Sequence, residues 1–116
     1  MKKFLKSFIN AWEGIKDGFR QGRNMKSHGL SAIIVLIAGW FTGLSQIEWM
    51  IIFIVIAGVI ALELMNTAVE YVVDLVTSEF HPLAKKAKDI AAGSVFVFAI
   101  ASAIIGCIIF FPKWFG

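Results

Sequence analysis

Glu63, Asn66, Glu70 and Asp74 stand in a stretch that is otherwise almost wholly apolar. On a helix that turns about 100° per residue, all four fall within one arc about 80° wide. Carboxylates inside an apolar segment are costly and mark ion pairing, ion handling or catalysis. Glu63 and Glu70 are two turns apart, about 10 Å along the axis, too far to share a proton or to chelate one ion jointly. That separation suits a division of labour. Glu63, on the lipid side, can act as a base. Glu70, closer to water, can hold a metal-bound anionic substrate. A second polar group, Lys85-Lys86-Ala87-Lys88-Asp89, can neutralise phosphate charge, with the aspartate positioning a lysine or binding a ribose. The same lysines also suit membrane-surface anchors.

Other chemistries lack their residues. The chain has no Walker-type phosphate loop and no dinucleotide-binding glycine pattern. One cysteine and two histidines make neither a zinc set nor a Cys–His nucleophile pair, and they exclude a disulfide-stapled module. Cys107 falls mid-span and reads as a small apolar filler. His28 reads as an interfacial anchor at the start of the first apolar run, and His81, beside Glu79 in a loop, stays open.

The elements that must position these residues follow from composition. Of 116 residues, 59% are apolar and 16% are charged, with 11 Phe and 4 Trp. Soluble domains run roughly 45–50% apolar and about 25% charged, so a water-soluble fold of this size has too little interior for this chain. Disorder is excluded by the same bulky side chains. Uncharged runs cover residues 29–47, 49–62 and 90–112, which are 19, 14 and 23 residues long. The first and third approach or exceed the roughly 20 residues that a helix needs to cross a bilayer. The middle run continues without Pro or Gly through the four polar residues, which predicts a second span over 49–76 with a cytoplasmic extension.

The first 27 residues differ. Phe4, Phe8, Trp12, Ile15 and Phe19 form one helical stripe, with Lys2, Lys3, Lys6, Lys16, Arg20, Arg23 and Lys26 supplying much of the polar remainder. A basic helix with an aromatic face lies flat among headgroups. The expectation is therefore an all-α integral membrane protein in a single domain. It consists of an amphipathic surface helix over 1–27, spans over 29–47, 49–76 and 90–112, and a loop over 77–88. Seven of the eleven Lys and Arg precede the first span, three lie between the second and third, and none lies between the first and second. The positive-inside rule then places the N-terminus in the cytoplasm and the C-terminus outside. The net charge of +3 reads as attraction to anionic lipid, not nucleic acid. Gly14/Gly18/Gly22, Gly39/Gly43 and Ser102/Gly106 have the spacing of close helix contacts.

Glu63-Leu-Met-Asn66-Thr-Ala-Val-Glu70-Tyr-Val-Val-Asp74, then Glu79-Phe80-His81, then Ala84-Lys85-Lys86-Ala87-Lys88-Asp89, resembles the prokaryotic diacylglycerol kinase family. The likeness covers essentially the whole chain. Arg23-Asn24-Met25, Ile47-Glu48-Trp49 and His81-Pro82-Leu83-Ala84-Lys85 are similar to its Gram-positive branch, whose members resemble undecaprenol kinases more than diacylglycerol kinases. The resemblance implies a bacterial plasma-membrane homotrimer with active sites between subunits, using ATP and Mg2+ to phosphorylate a lipid alcohol. The acceptor it implies is undecaprenol or, alternatively, diacylglycerol. It implies Glu63 as general base, Asn66 as its orienting partner at the lipid substrate, and Glu70 as metal ligand on the ATP phosphates. Lys88 would contact the transferring phosphate, and Glu79, Phe80, His81 and Asp89 would hold the nucleotide. At Gly22 the chain departs from the family, which has a second acidic metal ligand there. Two other readings stay open at this point: an oligomeric membrane protein whose carboxylate face lines an ion path, and a family member without turnover because of Gly22. ATP consumption separates the first from a kinase, and nucleotide binding without turnover identifies the second.

Overall fold

The computed structural model describes all 116 residues as four helices: α1 (Lys2–Gln21), α2 (Met25–Thr42), α3 (Gln46–Val76) and α4 (Pro82–Phe115). The protein is all-α, and α2, α3 and α4 are each long and apolar enough to cross a membrane. It is an integral membrane protein. α3 packs along α4, α2 leans on α3, and α1 rests against α2 and α3. α2 and α4 scarcely meet, which leaves a groove between them floored by α3.

Helix ends differ from the expected boundaries because caps set them, not the limits of uncharged runs. The surface helix stops at Gln21, where Gly22 turns extended (φ −63°, ψ 131°) and Asn24 becomes the N-cap of α2. Lys26, Ser27 and His28 therefore belong to the first spanning helix. α2 ends at Thr42 because Gly43 adopts a left-handed conformation (φ 78°), which costs glycine nothing. Ser45 then starts α3 with a capping box: its hydroxyl accepts the Glu48 amide at 3.2 Å, and Glu48 accepts the Ser45 amide at 2.9 Å. The expected loop over 77–88 is shorter, since residues 82–88 are already helical. Proline has no amide to lose at a first helical position, and His81 Nδ1 caps the helix by accepting the Leu83 amide at 3.1 Å.

The small residues divide into two kinds. A Cβ on Gly18 would run into Leu64 of α3. One on Gly22 would lie 2.6 Å from the Gly18 carbonyl and 3.3 Å from Thr67 Oγ1, so these two let α1 touch α3. Gly58 likewise admits the Phe98 ring of α4, and Gly39 admits Trp49. Gly43 serves as the cap instead of as a contact. Ser102 and Gly106 make no close helix contact within the chain: the Ser102 hydroxyl donates to the Phe98 carbonyl at 2.8 Å, and both residues line the groove.

The Ser45 end of the bundle is tied shut. Ile52, Ile109 and Phe110 form its buried core, Lys113 pairs with Glu48 at 3.1 Å, and Trp114 Nε1 donates to Thr42 Oγ1 at 2.8 Å. At the far end of α1, Phe4, Phe8 and Trp12 stay exposed, as a face turned to headgroups requires.

Candidate active site

α3 carries its polar residues toward the other end of the bundle. Side-chain exposure rises along the arc from 1% at Glu63 to 21% at Glu70 and 61% at Asp74, so depth separates the two glutamates as their spacing predicts. Asn66 and Thr67 are buried beside Glu63. The Thr67 hydroxyl is occupied locally, donating to the Glu63 carbonyl at 3.1 Å.

Glu63 is held by residues far away in sequence. Its Oε1 accepts the backbone N–H of Asn24 at 3.2 Å, an amide made available by the break between α1 and α2. Its Oε2 has no hydrogen-bond partner and lies 3.8 Å from His28 Nε2. Asn66 Oδ1 is likewise buried without a partner. These atoms line a cavity of about 550 Å³ with Ser27 and the α4 wall at Ala92, Gly93 and Phe96. Buried polar atoms are almost always satisfied. Two orphaned acceptors in one cavity favour a ligand that brings a donor, such as a hydroxyl.

Two further spaces adjoin this cavity. The groove between α2 and α4, about 420 Å³, is lined mainly by apolar residues including Ile52, Val55, Ile56, Phe110 and Trp114, and it meets the cavity at His28 and Ala99. On the other side, sharing Ala92, lies a polar space of about 440 Å³. It is lined by Arg23, Glu70, Asp74, the 77–81 loop, Lys85, Lys88 and Asp89. The expected nucleotide residues Glu70, Glu79, Phe80, His81, Lys88 and Asp89 all line it. Apolar groove, acceptor cavity and polar space follow one another in line.

The polar space is laced with ion pairs: Arg23 to Glu70 at 3.6 Å, Lys88 to Asp74 at 2.7 Å and Lys85 to Asp89 at 2.6 Å. Its three cations face four carboxylates, Glu79 being the fourth. A polyphosphate entering such a space needs a cation to come with it. No cluster of three or more His, Cys, Asp or Glu side chains is arranged to grip a bare metal ion. Magnesium commonly takes one or two protein carboxylates and completes its shell with phosphate oxygens and water, and this set fits that demand, Glu70 being a carboxylate that would hold it. Gly22 adds no ligand, and its closeness to the Gly18 carbonyl leaves no room for a side chain unless α1 shifts. Asp17, the nearby acid of α1, is engaged with the Tyr71 hydroxyl at 2.8 Å.

His28, Arg23 and the Asn24 amide are the contributors that the motif reading missed. His28 lies four residues after Asn24, on the same face of α2 as its N-cap, and that spacing was the available signal.

The model of the prokaryotic diacylglycerol kinase family matches residues 9–110. The chain is 54% identical over 113 residues to the undecaprenol kinase of Bacillus subtilis (strain 168), covering 97% of this chain and 92% of that one. It is 39% identical over 109 residues to a diacylglycerol kinase of Synechocystis, covering 93% of this chain and 62% of the longer cyanobacterial one. With the diacylglycerol kinase of Escherichia coli (strain K12) the identity is 23% over 107 residues, covering 92% and 88%.

Proposed function

The chain belongs to the prokaryotic diacylglycerol kinase family, and on that premise we propose that it transfers the γ-phosphoryl group of ATP to undecaprenol, giving undecaprenyl phosphate. The observation that carries this reading is the unpartnered Glu63 Oε2. A buried carboxylate oxygen opens into a cavity that meets an apolar groove on one side and a polar, charge-lined space on the other. A lipid alcohol matches that sequence of environments: an apolar chain along the groove, and its one donor, the hydroxyl, at Glu63 and Asn66.

Glu63 takes the hydroxyl proton as the acceptor oxygen attacks the γ-phosphorus, and ADP leaves. Asn66 orients the hydroxyl, and the Asn24 amide holds the Glu63 carboxylate in place. Lys88 reaches the transferring phosphate on release from Asp74, while Glu79, Phe80, His81 and Asp89 hold the nucleotide. Magnesium held by Glu70 would neutralise phosphate charge in a space that already carries an excess of carboxylates. With no phosphate loop, transfer rests on positioning and charge compensation. We place the chain in the bacterial plasma membrane, N-terminus inside, as a homotrimer sharing sites between subunits.

The test is a mixed-micelle assay offering ATP with undecaprenol, with diacylglycerol, or with no lipid. Phosphorylated undecaprenol is the expected product. Diacylglycerol, the acceptor in the names of the Synechocystis and E. coli relatives, is the competing arm, and preferential formation of phosphatidic acid would replace the acceptor named here. In a Cys107→Ser background, a cysteine at Ser45 should label from outside intact cells and one at Ser78 should not. The reverse pattern overturns the orientation.

A further inference from the structure

A base must be reset after each turnover, and Glu63, at 1% side-chain exposure, cannot release a proton to bulk water unaided. Its Oε1 is committed to the Asn24 amide, which leaves Oε2 as the free end. The one other titratable side chain lining the same cavity is His28, whose Nε2 lies 3.8 Å from Oε2 and whose side chain is 19% exposed. The α4 wall contributes no titratable group there, and of the two cations just before His28, Arg23 faces Glu70 while Lys26 is exposed and lines no part of the cavity. At 3.8 Å the two atoms are too far apart for a direct hydrogen bond. A single oxygen can nevertheless lie about 2.8 Å from both at once, and a small side-chain rotation closes the gap. His28 also lines the apolar groove, so it stands where a hydroxyl passes from groove to cavity.

We propose that His28 is the positioning residue and proton relay of Glu63. The inference rests on Glu63 being the base. In the transfer step the acceptor O–H bond breaks, the oxygen bonds to the γ-phosphorus, the bond to ADP breaks, and the proton goes to Glu63 Oε2. In the reset step the Oε2–H bond breaks and its electron pair stays on the carboxylate. The proton passes to the unprotonated Nε2 of His28, which needs the tautomer protonated at Nδ1. The imidazolium then rotates and gives its Nε2 proton to water, the side chain being 19% exposed, which leaves Nδ1 protonated, Nε2 bare and both groups ready again. A purely structural ion pair with Glu63 would instead affect folding and substrate affinity.

The experiment uses the full-length protein in mixed micelles with the lipid that the wild type phosphorylates. His28→Gln keeps size and polarity but carries no proton, and it should lower kcat about tenfold or more while the KM values for ATP and lipid stay within about twofold. His28→Ala should regain turnover when imidazole is added to the buffer. His28→Gln placed on Glu63→Gln should lower the residual rate no further, because the relay acts only through that carboxylate. Normal kcat in His28→Gln, a loss confined to KM, failed rescue by imidazole, or multiplying losses in the double variant would each overturn the relay. A wild type that phosphorylates no lipid would overturn the proposed function as well, which separates the two failures.

Discussion

The two ends of this helical bundle solve opposite problems. At the Ser45 end the polar groups are paired with one another: the Ser45–Glu48 capping box, Lys113 on Glu48, and the Trp114 indole on Thr42. That end also holds the Ile52–Ile109–Phe110 core. At the Glu70 end, Glu63 Oε2 and Asn66 Oδ1 are buried without partners, and three ion pairs line an open polar space. Closed polar chemistry anchors helices. Open polar chemistry waits for a ligand. On that difference rests the proposed site, in a chain whose two ends are built on the same three spanning helices.

The sharpest way to break this comparison is Glu63→Gln. It should reduce kcat by about 10²–10⁴-fold, the range for losing a positioned base, while the protein stays folded by circular dichroism and still binds nucleotide. Near-normal turnover would mean that the open end is not catalytic. Next in size, Glu70→Gln should raise the magnesium concentration needed for half-maximal rate about tenfold, since a neutral amide is a poor replacement for a carboxylate ligand. Initial rates against magnesium at saturating lipid check it, and superimposable curves would remove Glu70 from the metal. The smallest effect belongs to the closed end. Ser45→Ala should cost about 1 kcal/mol of stability by losing the cap, read as a lower midpoint in detergent unfolding, with kcat unchanged. A fall in kcat there would show that the two ends are not separate.

The shared face of Glu63, Asn66, Glu70 and Asp74 was legible because these residues violate their surroundings: carboxylates recurring at helical spacing in an apolar run have few explanations. The loop residues 79–81 and the Lys88–Asp89 pair were legible from the same motif. What escaped was everything that depends on the chain folding back. The Asn24 amide and Glu63 are 39 positions apart, and no local pattern announces a main-chain donor. His28 looked like an anchor because its partner lies on another helix. Helix ends were misplaced because uncharged runs report apolar length, whereas Gly43, Ser45 and Pro82 report where hydrogen bonding must stop or start. Ser45-Gln-Ile-Glu48 in fact displays the capping-box pattern in plain sequence.

The turn at residues 22–24 joins two scales of the molecule. On one side of it, α1 presents exposed aromatic rings at the headgroup level and bears on Leu64 of α3 through Gly18. On the other, its Asn24 amide donates to Glu63, the proposed base. The turn therefore links a helix that rests on α3 at Gly18 to the α2 N-cap whose amide holds Glu63 Oε1. The surface helix and the buried carboxylate thus share one three-residue joint.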